Sequence, residues 1–288
     1  MNENKTNINW YPGHMAKAKR LIEEKYSLID IVYELVDARI PYSSKIKDID
    51  SLLKDKPRIL IMTKKDLCDL EVTNKWVKYY EEKGYKVLLI NGTDKNEYKK
   101  IVDLTHEMMK DLQETRASKG IIKKEIRALV IGIPNVGKST LINQLAQKKV
   151  ASTGNMPGVT KSLVWLKTNS DILLLDTPGI LWPKFEDQKI ALNLASMTAI
   201  KSEILPVDEV AIHILNILDK YYPNILKMRY NIEYVNNDDI VETYDAIGKR
   251  IGAIVSGGEI DYDRVSITIL NDIKNEYIKN ITFDRIDD

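Results

Sequence analysis

The stretch GIPNVGKST, residues 132–140, decides the fold class of this chain. Its defining positions match the pattern G-x-x-x-x-G-K-[ST], and they are Gly132, Gly137, Lys138 and Ser139. An apolar run, IRALVIGI (126–133), precedes the stretch, and a helix-forming run, STLINQLAQ (139–147), follows it. This context predicts a loop whose backbone N–H groups and helix N-terminus bind phosphate. The alternative is an ordinary strand-to-helix turn with an exposed lysine.

The side chains of this loop have predicted roles at a bound nucleotide. Lys138 is expected to reach the β- and γ-phosphate oxygens, and the hydroxyl of Ser139 is expected to ligate Mg²⁺. Further nucleotide contacts are predicted at Asn135, Val136, Gly137 and Thr140.

Two downstream stretches complete the phosphate side of the predicted site. In DTPG (176–179), Asp176 ends an apolar run, where a carboxylate can hold Mg²⁺ through water, and the N–H of Gly179 can sense a γ-phosphate. In NMPGVTK (155–161), Thr160 lies in a loop punctuated by glycine and proline. Its hydroxyl can join the Mg²⁺ shell only when a triphosphate is bound, which would make it a switch. The other interpretation of Thr160 is a simple turn residue.

The predicted guanine-recognition residues come before the phosphate loop. GTPases usually carry [NT]-K-x-D well after D-x-x-G, with an Asp that accepts hydrogen bonds from guanine N1–H and N2–H. No match lies between residues 180 and 288. Upstream, an apolar run ends in Thr63, Lys64, Lys65 and Asp66. The next apolar run ends in Asn91, Gly92 and Thr93, a short loop whose backbone N–H groups can face guanine O6.

This order of motifs predicts a circularly permuted GTPase. In a parallel sheet, the strands that end a conventional GTPase lie beside those that begin it, so joining the old termini and cutting after DTPG preserves the contacts. Apolar runs typical of buried strands occur at 30–38, 58–64, 86–92, 126–133 and 171–179, with 162–168 as an edge partner. Helical patterns occur at 14–29, 71–83, 94–114 and 138–147. The predicted fold is therefore α/β, with a mostly parallel, doubly wound sheet.

The chain divides into two predicted domains. The circularly permuted GTPase domain spans residues 1–200 and includes the N-terminal segment 1–28. From Pro206 onward the pattern is amphipathic and helix-like, which predicts a small all-α C-terminal domain at 206–288. Because the γ-phosphate-sensing segment leads directly into the helical domain, we expect hydrolysis to reposition that domain.

Composition limits the class of protein and its compartment. Of the 288 residues, 44% are hydrophobic, which is enough to form a full hydrophobic core. The formal net charge is +1, so any basic surface must be confined to a local patch. A single cysteine, Cys68, favours a reducing compartment. No apolar run approaches the roughly 20 residues that span a bilayer. We expect a cytoplasmic, monomeric protein without a membrane segment.

Taken together, the motifs resemble the ribosome biogenesis GTPase A family over nearly the whole chain. The resemblance is carried by stretches that are specific in combination: WYPGHMAKAKR (10–20), DARIPYSS (37–44), GIPNVGKST, MPGVTK (156–161), DTPGILWPKFED (176–187) and GGEIDYDR (257–264). It implies a GTP-hydrolysing assembly factor that binds the precursor of the large ribosomal subunit, promotes a late maturation step and is released by hydrolysis. Its implied ligands are GTP or GDP, Mg²⁺ and K⁺.

The resemblance also implies roles for single residues. Ras-like enzymes place a Gln that orients the attacking water directly after D-x-x-G, but this chain has Ile180 at that position. In the family that it resembles, the histidine of the P-G-H motif is proposed to orient the water instead. That histidine is His14, although a lone histidine is as often structural. Asn135 resembles the Asn that helps to hold K⁺ in potassium-dependent GTPases. An equally good interpretation is that Asn135 is present because asparagine favours turns.

Two departures from the family pattern affect the base side. Thr63 replaces the usual Asn of N-K-x-D and offers a hydroxyl rather than an amide, while Gly92 and Thr93 replace a Ser-Ala-like pair.

Basic clusters that could contact ribosomal RNA are Lys17, Lys19 and Arg20; Lys119, Lys123, Lys124 and Arg127; and Lys249, Arg250 and Arg264. Two alternatives stay open: a phosphate-loop kinase with residues 206–288 as a lid, and an RNA-binding protein that nucleotide merely stabilises.

Overall fold

The computed structural model describes residues 20, 22–46, 49–53, 56–121, 125–146, 164–177, 187–200 and 206–286. In this part of the chain six strands form one sheet: β1 (Ile31–Asp37), β2 (Arg58–Thr63), β3 (Lys86–Leu89), β4 (Ile126–Gly132), β5 (Val164–Lys167) and β6 (Ile172–Asp176). The central strands are mostly apolar, as expected where helices cover both faces of a sheet. Every residue of β1 is buried.

The strand order positions the loops that form the site. The order is β3-β2-β1-β4-β6-β5, with β5 antiparallel to β6 at one edge and the other pairs parallel. The chain moves outward from β1 to β3 and then returns to β4 on the other side of β1. The order in which strands are added to the sheet therefore reverses between β1 and β4, although these two strands are parallel. Doubly wound sheets bind ligands at the carboxyl ends of the strands beside such a reversal. The loops after β1, β2 and β4 therefore open at one shared edge.

Helices alternate with the strands and then continue alone. They are α1 (Ile49–Leu53), α2 (Leu70–Glu82), α3 (Lys95–Ser118), α4 (Lys138–Ala146), α5 (Gln188–Ser196), α6 (Val207–Tyr221), α7 (Pro223–Tyr230), α8 (Ile240–Ile251) and α9 (Tyr262–Lys274). Several begin after an aspartate whose carboxylate accepts first-turn N–H groups; these caps are Asp69, Asp94, Asp187 and Asp261. Left-handed residues Asn231 and Gly252 end α7 and α8.

The fold class predicted from the sequence is confirmed. The five predicted parallel strands and the edge strand all form, and three predicted helices correspond to α2, α3 and α4 within a few residues. Of the predicted helix at 14–29, residues 14–19 and 21 lie outside the described residues; residues 20 and 22–25 are helical, and a 3₁₀ turn, Tyr26–Leu28, follows them. The sequence does not predict α7, because Pro223 resembles a helix break and only Leu226 and Tyr230 of this short helix are buried.

The C-terminal helices pack against the sheet. Helix α6 contacts α5, α7 and α9, and one hydrophobic cluster runs from Ile131 of the sheet through Leu194 and Ile214 to Ile269 of α9. The end of the described chain returns to the loops after β1 and β2. Because this core is continuous, the division into domains at 1–200 and 206–288 stays a prediction. No helix in the described part of the chain combines the length and apolar character needed to span a bilayer.

Candidate nucleotide site

The loops that follow β2 and β4 meet at the carboxyl edge of the sheet. The Thr63 hydroxyl, at the end of β2, donates to the Val136 carbonyl of the phosphate loop over 2.6 Å. The same oxygen lies 3.2 Å from the Val36 carbonyl of β1. Thr63 is buried, and a buried hydroxyl that found no acceptor would be costly. The end of β2 and the phosphate loop, which are distant in the sequence, therefore lie side by side at this edge of the sheet.

One cleft collects most of the residues predicted to bind nucleotide. Those that line it are Thr63, Lys64, Asp66, Asn91, Gly92, Thr93, Asn135, Val136, Gly137 and Thr140. The ammonium of Lys65 points elsewhere and lies 3.1 Å from a carboxylate oxygen of Glu97. Three further predicted residues, His14, Thr160 and Gly179, lie outside the described residues.

The phosphate loop needs its glycines for two different reasons. A Cβ atom on Gly132 would lie 2.8 Å from the Leu35 carbonyl oxygen, so β4 approaches β1 too closely for any side chain. Gly137 has φ 102° and Asn135 has φ 60°, and these left-handed conformations favour glycine and asparagine. The Asn135 amide donates to the Thr198 carbonyl over 2.6 Å. Asn135 therefore fits a turn residue by conformation, and its side chain joins the loop to the end of α5.

Lys138 is held as a buried cation at the phosphate end of the site. Its ammonium donates to the carbonyl oxygens of Gly132, at 3.0 Å, and Ile133, at 2.7 Å. Burial lowers the pKa of Lys138 to about 8, although the negative charge of Asp176 opposes this effect. Neutral carbonyl groups compensate a buried charge poorly, so phosphate oxygens would be better partners for this ammonium.

Ser139 and Asp176 offer the oxygen ligands that Mg²⁺ prefers. Asp176 ends β6 and pairs in register with Val130 of β4, the strand that enters the phosphate loop. Ser139 lies in the first turn of α4, directly after that loop. Proteins usually hold Mg²⁺ through one or two side-chain oxygens, with phosphates and water completing the shell. One carboxylate and one hydroxyl beside the phosphate loop are donors of this kind, so this donor set fits Mg²⁺.

A buried ion cluster supports the turn that follows β2, where guanine recognition is predicted. The Asp37 carboxylate lies 2.8 Å from both the Lys64 ammonium and the Arg39 guanidinium. Burial alone would raise the pKa of Asp37, but the charges of Arg39 and Lys64 outweigh it and hold this pKa well below its usual range. Lys64 has φ 61°, which turns the chain sharply after β2. Because Asp37 neutralises its charge, Lys64 contributes mainly its apolar stem to the cleft.

Glu97, in the first turn of α3, joins the two base-side loops. Its carboxylate accepts from the Asn91 N–H over 2.8 Å and also pairs with Lys65. Burial opposes ionisation of Glu97, but these donors keep its pKa lowered. Within the loop, the Thr93 N–H donates to the Asn91 side chain over 2.9 Å. The loop at 91–93 is therefore held by hydrogen bonds within the protein, and the Thr93 N–H takes part in one of them.

Comparisons with known proteins agree with this geometry. A family model described as 50S ribosome-binding GTPase matches residues 127–244. The ribosome biogenesis GTPase A of Priestia megaterium is 48% identical over 278 residues, which cover 96% of this chain and 96% of that protein. The Bacillus cereus protein of the same name is 47% identical and covers 96% of this chain and 93% of its own length. The chain belongs to the ribosome biogenesis GTPase A family.

Membership of the ribosome biogenesis GTPase A family confirms the resemblance drawn from the motifs and the GTPase class that they predict. A solved relative has the same fold. YlqF from Thermotoga maritima, in a GNP-bound crystal structure, matches with a TM-score of 0.64 over 93% of this chain and 98% of that chain, at 23% identity. The predicted circularly permuted fold is therefore confirmed for this GTPase.

Some walls of the cleft in this GTPase are not predicted by its motifs. Thr198, after α5, and Glu276, after α9, line the cleft although both lie far from the motifs in the sequence. Tyr98 also lines it and donates to the Gly92 carbonyl over 2.9 Å. Of the four cleft residues Thr198, Glu276, Tyr98 and Arg39, only Arg39 lies in a recognisable motif, DARIPYSS. The other side chains reach the cleft through packing, which leaves no local signal.

Proposed function

We propose that this chain binds guanine nucleotides in the cleft, hydrolyses GTP, and acts as an assembly factor on a precursor of the large ribosomal subunit. Hydrolysis drives its release. Its site of action is the cytoplasm, and it works as a monomer. The observation that carries the proposal is the hydrogen bond from Thr63 to Val136, because it joins the end of β2, close to Asp66, to the phosphate loop in one cleft.

The chemistry assigned to this cleft separates recognition from hydrolysis. Asp66 accepts hydrogen bonds from guanine N1–H and N2–H, while Lys138 exchanges its carbonyl partners for phosphate oxygens. Ser139, Thr160 and Asp176, the last through water, would hold Mg²⁺, which would offset the charge that develops on the phosphates. The N–H of Gly179 senses the γ-phosphate.

Hydrolysis needs a group that positions the attacking water. Ile180 follows D-x-x-G and has no polar side-chain atom, so we assign this role to His14, ordered by the ribosome. Asn135 could also help to hold K⁺ near the β- and γ-phosphates, where a cation would replace an arginine finger. The isolated protein is therefore expected to hydrolyse GTP slowly.

Ribosome binding is supported by the family and by charge on the C-terminal helices. The related proteins are named as ribosome biogenesis GTPases, and the matching family model is described as ribosome-binding. Lys249 and Arg250 are exposed in the last turn of α8. Exposed cations of this kind can pair with RNA phosphates and release counterions.

Two measurements test the proposal. The first compares the affinities for GDP, GTP and ATP by calorimetry; a preference for ATP would refute it. The second measures GTP hydrolysis with and without large ribosomal subunits for the parent, for His14→Ala and for the matched control His106→Ala. His106 is a surface residue whose ring lies 2.7 Å from Asp171, so its removal should leave stimulation intact.

The result expected is strong stimulation in the parent and in His106→Ala, and its loss in His14→Ala. Equal stimulation in all three proteins would remove His14 from the mechanism. Equal ribosome affinity with GDP and with a non-hydrolysable GTP analogue would mean that no switch exists. Phosphate transfer to a small acceptor, with no hydrolysis in its absence, would instead identify a kinase.

A further inference from the structure

The last part of the described chain lies across the guanine-recognition turn. We call residues 280–284 the C-terminal strap, and residues 64–69 the recognition turn, which includes Asp66. The strap follows α9 and runs back to the loops after β1 and β2, where Ile281 and Phe283 are fully buried. It belongs to the C-terminal helical region by sequence, yet it packs against the base side of the cleft.

The strap holds the backbone directly beside Asp66. The N–H groups of Asn280 and Ile281 both donate to the Leu67 carbonyl, at 2.8 Å and 3.2 Å. Two successive N–H groups can converge on one acceptor here because Asn280 has φ 60°. On the other side of Asp66, the Lys65 N–H donates to the Ile90 carbonyl over 3.1 Å. Asp66 is thus fixed on one flank by the end of β3 and on the other by the strap.

Thr282 adds a second contact further along the turn. Its hydroxyl accepts from the Asp69 N–H over 3.1 Å and lies 2.9 Å from the Thr73 hydroxyl. The Thr73 hydroxyl in turn donates to the Ala38 carbonyl over 3.0 Å. Thr282 and Thr73 are both buried. The strap therefore supports the whole turn rather than one atom of it.

The far end of the strap is anchored independently. The Asp284 carboxylate accepts from the Tyr42 and Ser43 N–H groups, each at 2.7 Å, and from the Asn193 amide at 2.9 Å. Asn193 belongs to α5, and its carbonyl oxygen lies 2.7 Å from the His213 ring of α6. The strap therefore links the recognition turn to the helices that follow the γ-phosphate-sensing segment.

We propose that the C-terminal strap is the positioning element for guanine selectivity: it holds the recognition turn so that Asp66 faces the base. The inference rests on the proposed function, since it concerns how the proposed nucleotide is recognised. Asp66 is itself exposed, so its own packing does not orient it. Hydrogen bonds to a carboxylate weaken steeply when their angles are lost, and a shifted turn would reduce selectivity before it abolished binding.

The test compares GDP with inosine diphosphate, which lacks the exocyclic amine that Asp66 accepts from. A hydrogen bond to a charged group gives a selectivity of about 10- to 100-fold, and this ratio is measured by calorimetry for each variant. Asn280→Val disfavours the left-handed conformation, whereas Asn280→Gly accepts it. The Asn280 side chain is exposed, so the two variants differ mainly in backbone preference.

We expect the selectivity ratio to fall at least fivefold in Asn280→Val and to be retained in Asn280→Gly. A ratio retained in Asn280→Val, even with a lower melting temperature, would overturn the proposal, because a merely structural strap would lower stability without changing selectivity. If the parent binds no GDP, the proposed function fails instead.

A second pair of variants covers the case in which Asn280→Val does not fold. Thr282→Val removes the hydroxyl that Asp69 donates to, and Thr282→Ser keeps it. We expect a reduced selectivity ratio in Thr282→Val and the parental ratio in Thr282→Ser. Parental ratios in both Thr282 variants would overturn the proposal.

Discussion

Nucleotide binding should take up a proton at Lys138. With only protein groups beside it, the pKa of Lys138 is lowered to about 8, because burial removes its ammonium from water. Phosphate oxygens stabilise the charged form, so binding must raise this pKa towards that of a solvent-exposed lysine, about 10.4, or higher. At pH 8 the free protein is half protonated at this site and the complex is fully protonated. Binding of GDP should therefore take up about half a proton.

The same shift sets the direction of the pH dependence. Because the pKa is higher in the complex, affinity is fully present below the free pKa of about 8 and falls progressively as pH rises from there towards the pKa of the complex. Between pH 7 and pH 8.5 the dissociation constant of GDP should increase about fourfold, since the protonated fraction of free Lys138 falls by that factor. This window stays below the pH at which guanine N1–H itself titrates.

The assay is isothermal titration calorimetry of GDP at pH 8 in two buffers that differ in ionisation enthalpy. The difference in observed heat gives the protons taken up. Lys138→Arg is the matched control, because a guanidinium stays charged throughout this range, so it should show neither proton uptake nor a pH dependence. Zero uptake by the parent, or equal uptake by Lys138→Arg, would refute this account of Lys138.

Three further predictions follow from single residues of the cleft. Asp66→Asn should lower GDP affinity at least tenfold, measured by calorimetry. It should leave the melting temperature of the nucleotide-free protein unchanged in thermal unfolding, because Asp66 is exposed. An unchanged GDP affinity would contradict the role assigned to Asp66. Thr63→Val removes the donor to the Val136 carbonyl and should lower the free energy of unfolding by about 1–2 kcal/mol in urea titrations, whereas Thr63→Ser should approach the parent. Gly132→Ala would put a methyl group 2.8 Å from the Leu35 carbonyl oxygen and should cost about 1–3 kcal/mol of stability by the same measurement; no change would mean that the two strands separate easily.

The motifs predicted many of the residues that line the cleft, because the chemistry of each motif is local. A phosphate loop needs glycines and a lysine at fixed spacing, so residues 132–140 identify it wherever they occur. Asp66 is recognisable because it follows an apolar strand in the pattern T-K-x-D. Their order then required β1 to β3 to lie beside β4, and the strand order has that arrangement.

Other features depend on contacts that no local pattern encodes. The T-K-x-D pattern predicts Thr63 as a nucleotide contact, but it does not encode the hydrogen bond from the Thr63 hydroxyl to the Val136 carbonyl. The strap contact between Asn280 and Leu67 joins residues at opposite ends of the chain. The lowered pKa of Lys138 arises from burial, which the sequence of the loop does not set.

The sequence by itself determined the class of fold, the order of its halves and the identity of the phosphate and guanine motifs, because short patterns of glycine, lysine and aspartate carry this chemistry wherever they lie in a chain. Only the tertiary structure decided how the recognition turn is held, which helices reach the cleft and how strongly its lysine is desolvated. These properties arise where distant segments pack together, and packing depends on the whole chain at once.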